Sequence, residues 1–122
     1  LVVDYGNISG IGDTLQAVSN HKFSSVLEKP GQSDLSAHVN FTLLKEIAIK
    51  KNLYVSPVKE QRNFLLELGI KERLKSLTKN VSSAIAETVN SEIKRLIDPD
   101  KMGSLFKVVA ITKTKRHLEG LN

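Results

Sequence analysis

The stretch LVVDYGNISGIGD, residues 1–13, begins with a contiguous apolar run and breaks after Asp4-Tyr5 into a glycine-rich segment. Alternating apolar and polar residues make a strand with one wet face, whereas a run such as Leu1-Val2-Val3 reads as a strand covered on both faces. The expectation is a buried strand at the start of the chain, with polypeptide beyond it supplying part of the cover. Gly6, Gly10 and Gly12 reach backbone angles that other residues adopt only at a cost, so the segment after the strand reads as loop.

Outward from this strand, TLQAVSNHKF (14–23) gives a short extended piece and LEKPGQSD (27–34) a turn hinged at Pro30-Gly31. Asn40 has the form of an N-cap for FTLLKEIAIKK (41–51), where Leu43, Leu44, Ile47 and Ala48 recur at helical spacing. NLYVSPV (52–58) reads as a second strand, with Pro57 restricting it to an end or an edge. From Gln61 the period returns to 3.6, with Phe64, Leu65 and Leu68 on one face, a break at Gly69, and a continuation through Ile70, Leu74 and Leu77. A longer helix is expected after Asn80, striped by Val81, Ile85, Val89, Ile93, Leu96 and Ile97 and ending before Pro99. MGSLFK (102–107) reads as a turn in which Gly103 gives backbone freedom. It feeds a third strand, LFKVVAIT (105–112), whose contiguous Val108 to Ile111 again suggests burial on both faces. Strand, loop, helix, strand, helices, strand is the order of an α/β layer.

The 122 residues, 40% hydrophobic and 25% charged, suit one globular domain. No cysteine is present, which excludes disulfides and thiolate chemistry within the chain, and no apolar run approaches the roughly 18 residues of a membrane span. The net charge of +5 concentrates in Lys50-Lys51 and in TKTKRH (112–117). Two tyrosines and four phenylalanines, most at apolar-periodic positions, are too few to interleave those cations with stacking rings, so they read as solvated surface rather than a nucleic-acid face. Asn7, Asn40 and Asn80 each begin an Asn-x-Ser/Thr triplet and read as turn or cap residues rather than glycan acceptors.

Five stretches, LVVDYG (1–6), GDTLQAVSNHKF (12–23), PGQSDLSAHVNF (30–41), EQRNFLLELGIKER (60–73) and MGSLFKVVAI (102–111), together resemble the carboxy-terminal part of a known family. It is the MidA family of S-adenosylmethionine-dependent methyltransferases, whose mitochondrial member is a complex I assembly factor. The resemblance implies an α/β fold, the C-terminal portion of a Rossmann-like methyltransferase with strand order 3-2-1-4-5-7-6. Residues 1–4 would be its fifth strand, 53–58 its sixth, and 105–112 its seventh, antiparallel and inserted between the other two. The implied organisation is one fragment of a methyltransferase domain: strand-loop-helix-strand over 1–58, a helical insertion over 59–104, a final strand over 105–112 and a basic tail over 113–122.

Methyltransferases of this fold hold S-adenosylmethionine with a glycine-rich turn after their first strand and an acidic residue after the second. Neither maps onto this chain. The spacing of Gly6, Gly10 and Gly12 follows the strand mapped as fifth and leads into no helix, so it reads as a connection. The resemblance therefore implies no cofactor-binding residue here, no tight cofactor binding and no turnover by this chain alone. The implied partners are the missing N-terminal half of the domain or a second copy of the chain, and a protein substrate methylated at arginine. The implied place is the cytoplasm for a bacterial form and the mitochondrial matrix for a eukaryotic one.

Open α/β sheets bind ligands outside the carboxyl ends of their strands, which makes Asp4, Tyr5 and Gly6 candidates for the substrate-side rim, joined by Asp34 and His38 of SDLSAHV. His38 is the candidate catalytic group, able to position a guanidinium or take its proton. The plainer alternatives are that Asp4 caps a turn, Tyr5 packs, and His38 is a core histidine with a satisfied ring. Within the family pattern, Ser36 stands where threonine is frequent and Asn40 where aspartate is, so an acid role at the latter position would be lost. His21 and His117 have no evident partners and no metal-ligand set is present. A different class of function is a basic, helix-rich interaction module without catalysis, using the sheet edge or the 81–97 helix.

Overall fold

The computed structural model describes residues 1–9, 12–28 and 30–122. Gly10, Ile11 and Lys29, parts of two stretches read as loop and turn, lie outside the described residues. After β1 (Val2–Asn7), the piece expected to be simply extended is a hairpin, β2 (Gln16–Ser19) and β3 (Lys22–Ser24). Its two-residue turn holds Asn20 and His21 at φ 51° and 60°, the left-handed pair that matches strand twist. β4 (Asp34–Ser36) lies on the other side of β2 and completes a small antiparallel sheet.

β5 (Val39–Asn40) leads into α1 (Phe41–Lys50), where the Asn40 side chain accepts the Leu43 amide at 3.0 Å as the spacing predicts. α1 ends on Asn52 at φ 56°, and the Leu53 amide reaches back to the Ala48 carbonyl. Two short strands follow, β6 (Tyr54–Val55) and β7 (Lys59–Glu60), then α2 (Gln61–Glu67) and α3 (Ile70–Thr78), separated by Gly69 at φ 81°. α4 (Ser83–Ile97) is capped by Ser82, two residues beyond the expected start at Asn80, because the hydroxyl can accept the Ile85 amide. A tight turn over Pro99–Gly103 connects to β8 (Phe106–Val109) and β9 (Ile111–Thr112). Gly103 is needed for closeness rather than freedom: a Cβ there would stand 2.6 Å from the Ile97 carbonyl oxygen.

The main sheet has the order β5-β1-β8-β7, with β8 antiparallel to both β1 and β7. β1 and β8 pair antiparallel, as the resemblance implies for the fifth and seventh strands, but the expected sixth strand is cut short: β6 meets β9, and the partner of β8 is β7 at residues 59–60, in the stretch expected to be a helical insertion. Opposite β8 and β9, the second strand is not continuous. From Val55↔Ile111 to Lys59↔Val108 it advances four residues against three, which is a one-residue bulge. Pro57 has no amide for a ladder, and Ser56 bridges the defect: its amide donates to the Ala110 carbonyl, and its Oγ accepts the Ala110 amide, both at 3.0 Å.

Val108 and Val109 point to opposite faces and are 0% and 1% exposed, so the C-terminal apolar run is covered on both sides. The opening run is not. Leu1 is 73% and Val3 45% exposed, and among the described residues the outer edge of β1 is paired only where Gly6 and Asn7 meet β5. The core gathers Val108, Ala110 and Leu121, with Phe64 of α2 and Leu118 against them. The last ten residues are thus held down by two leucines. Gly120, at φ 73°, lets the chain pass so near Phe64 that a Cβ would come within 2.9 Å of its ring. Gln61 and Arg62, at the start of α2, donate to the Leu96 and Ile97 carbonyls at 2.9 Å and so satisfy the open end of α4.

Candidate functional site

At the carboxyl end of β1, the backbone of Gly6 lies against that of Val39, and a Cβ on Gly6 would stand 2.2 Å from the Val39 oxygen. The missing side chain lets β5 join the sheet, and β5 brings His38 with it. Tyr5 then sits between two rings, 5.6 Å from His38 and 5.7 Å from Phe106, both edge to face. The His38 amide donates to Thr14 Oγ1 at 3.0 Å, which ties this corner to the segment entering β2. His38 Nδ1 is buried and has no hydrogen-bond partner, the one such side-chain nitrogen or oxygen among the described residues. The ring borders a cleft of about 70 Å³, together with Asn7, Ser9, Gly12, Thr14 and Asn40.

Of the expected rim residues, Tyr5 and His38 are therefore in contact, and Gly6 is buried beneath them against Val39. Asp4 turns back on its own strand, accepting the Tyr5 amide at 2.9 Å. Asp34 is exposed on β4 opposite Val18 and does not border the His38 cleft.

A row that the sequence does not announce crosses the sheet here. Asp4 faces Lys107, and Lys107 faces Glu60, on three neighbouring strands. Lys107 is buried, its ammonium donating to the Ser104 carbonyl, while the Ser104 hydroxyl donates to Glu60 at 3.1 Å. Beside it lies a cleft of about 380 Å³, bordered by Ile8, Asn63, Glu60, Glu67 and Lys107. Glu67 is paired with Lys59 at 2.6 Å. Only the strand register puts an acid, a lysine and an acid side by side, because the three residues are separated by 47 and 56 positions in the chain.

The described residues of the segment after β1 do not fit the methionine end of an adenosyl cofactor. Gly6 is spent on Val39, a strand rather than a helix N-terminus follows, and the cleft of about 70 Å³ is far below the roughly 300 Å³ or more of a cofactor pocket. Among the described residues, no three His, Asp or Glu side chains are grouped to hold a metal ion, and no helix is long and apolar enough to cross a membrane.

Residues 1–58 match the model of a family described as putative S-adenosyl-L-methionine-dependent methyltransferase. The chain is 34% identical over 95% of its length to the mitochondrial protein arginine methyltransferase NDUFAF7 of Danio rerio, and 35% identical over 95% to that of Homo sapiens. The chain is similar in sequence to the MidA family of methyltransferases. It corresponds to the carboxy-terminal part of that family's members, and it spans about a quarter of the relatives' length, 27% and 26% respectively. Two solved structures from Burkholderia thailandensis share the fold. An uncharacterized protein superposes with a TM-score of 0.79 at 25% identity, covering 98% of this chain and 32% of that one. A likely methyl transferase bound to S-adenosyl-homocysteine gives 0.75 at 24% identity, covering 98% and 31%.

Proposed function

We propose that this chain forms the substrate-side part of a protein arginine methyltransferase that uses S-adenosylmethionine, with the cofactor cradle supplied by the amino-terminal part of the domain. The observation that carries the reading is the edge of β1. Over residues 2–5 the edge turned away from β8 has no ladder partner among the described residues, in a sheet that the solved methyltransferase-fold structures share. A strand added there would become the neighbour that the family's fourth strand is to its fifth, and would cover Val3.

Methyl transfer depends chiefly on holding acceptor and donor in line. His38 borders the cleft at the carboxyl end of β1, the side from which a guanidinium would approach, and Tyr5 packs against it there. His38, whose Nδ1 has no hydrogen-bond partner, is the group we assign to take the proton that the guanidinium nitrogen sheds as its new bond forms. The relatives' names support a protein substrate methylated at arginine and a mitochondrial place for a eukaryotic form, which we take to be the matrix; a bacterial form would act in the cytoplasm. We further propose a role in complex I assembly, the role of the mitochondrial member of the family it resembles.

Calorimetry with S-adenosylhomocysteine tests the division of labour. This chain alone is expected to give no binding heat, and the chain joined to the amino-terminal portion of a relative is expected to bind. Micromolar binding by the chain alone would refute the reading.

A further inference from the structure

Two basic stretches lie far apart in the sequence, Lys50-Lys51 at the end of α1 and Lys113 to His117 after β9. The pairing of Tyr54 with Thr112 brings them to one end of the sheet, since Lys51 stands three residues before Tyr54 and Lys113 directly follows Thr112. This is the end away from Tyr5 and His38. Thr112 lies six residues along from Phe106, about 20 Å at a strand's rise.

A cleft of about 420 Å³ opens there, bordered by Tyr54, Lys115, Arg116, His117, Leu118 and Leu121. The segment that carries the cations is folded. Leu121 is buried in the core, the Leu121 amide donates to the Leu118 carbonyl at 3.0 Å, and the Leu118 amide donates to Asn122 Oδ1 at 3.3 Å. Among the described residues, Lys50, Lys51, Lys113, Lys115 and Arg116 form no ion pair, and the His117 ring lies 3.4 Å from Glu119. An anchored surface with uncompensated cations around leucine side chains is costly to leave facing itself and favourable to cover with negative charge.

We propose that this cleft binds an acidic peptide segment of a partner protein, with carboxylates against Lys115 and Arg116 and an apolar side chain against Tyr54 and Leu118. The planar guanidinium of Arg116 suits a carboxylate held by two parallel hydrogen bonds. Single-stranded nucleic acid is disfavoured because Tyr54 is the one phenyl ring at the cleft, and such ligands need successive stacking platforms. Addition of a strand is disfavoured as well, since Pro57 and the bulge interrupt the free edge of β6 and β7. Recognition therefore runs through side chains.

Fluorescence anisotropy with a labelled peptide of alternating glutamate and leucine reads this directly. Reversing Lys115→Glu with Arg116→Glu is expected to weaken binding by about tenfold or more at low salt. The same charge change at α3 and the residue that caps it, Lys75→Glu with Lys79→Glu, is expected to cost no more than about twofold, since distant exposed charges are screened. Circular dichroism checks that each variant is folded, and Lys115→Gln with Arg116→Gln gives a milder version should the reversal disturb the tail. Equal weakening by both pairs, or no binding by the unmodified protein, would overturn the site. Tighter binding of inorganic phosphate or a DNA duplex than of the peptide would overturn its assignment to an acidic segment.

Discussion

Replacing Gly6 by alanine adds a single methyl group at the point where β1 meets β5. That carbon would lie 2.2 Å from the Val39 oxygen, 2.8 Å from its nitrogen and 2.9 Å from its carbonyl carbon, all backbone atoms that no rotamer change can move aside. Restoring ordinary contact at 3.4 Å requires the two strands to part by more than about 1 Å, which takes a hydrogen bond of about 2.9 Å beyond its useful range. The cost is the strain of overpacking, about 1–3 kcal/mol, plus about 1 kcal/mol for a ladder bond lost from the Gly6↔Val39 and Asn7↔Asn40 pairing. A loss of about 2–4 kcal/mol should show in urea unfolding, together with faster amide exchange at Val39 and Asn40. Adding Val39→Ala should not rescue it, because the obstruction is main chain. A loss under about 0.5 kcal/mol, or rescue by Val39→Ala, would refute the close approach that sets His38 beside Tyr5.

Three other substitutions probe separate parts of the molecule. Ser56→Ala leaves the Ala110 amide without an acceptor in a site 2% exposed, and should cost about 1–3 kcal/mol by chemical denaturation. Leu121→Ala opens a cavity against Val108, Ala110 and Phe64 and should cost about 2–5 kcal/mol, with the basic tail becoming protease-sensitive. His38→Phe keeps a ring against Tyr5 while removing an unpartnered nitrogen, so stability should change by less than about 1 kcal/mol. Methyl transfer by the completed enzyme should nonetheless fall by about a hundredfold or more, measured by mass spectrometry of the methylated peptide.

Helices and the final strand were legible where one periodicity extends over enough residues. Asn40 caps α1, Gly69 divides α2 from α3, and Val108 to Ala110 are buried, all as their spacing and residue types require. Leu1 to Val3 carried the same signal as Val108 to Ile111 and met a different outcome, because pattern reports what a strand requires and not whether its cover is in the same stretch of chain. The β2–β3 hairpin was missed because its turn is Asn20-His21, without the glycine that usually follows asparagine in such turns. Leu118 and Leu121 are two apolar residues after a run of cations, too few to show a period, yet both reach the core. At the site, Tyr5 and His38 could be singled out from their motifs. The row of Asp4, Lys107 and Glu60 could not, since it exists only through strand register.

The contacts of Gln61 and Arg62 with the last turn of α4 have a mechanical consequence. Those two residues directly continue β7, so the far helix is bolted to the sheet at a point immediately beyond Glu60. A load applied along α4 cannot be absorbed by swivelling at its carboxyl terminus; it passes into the strand that borders Lys107.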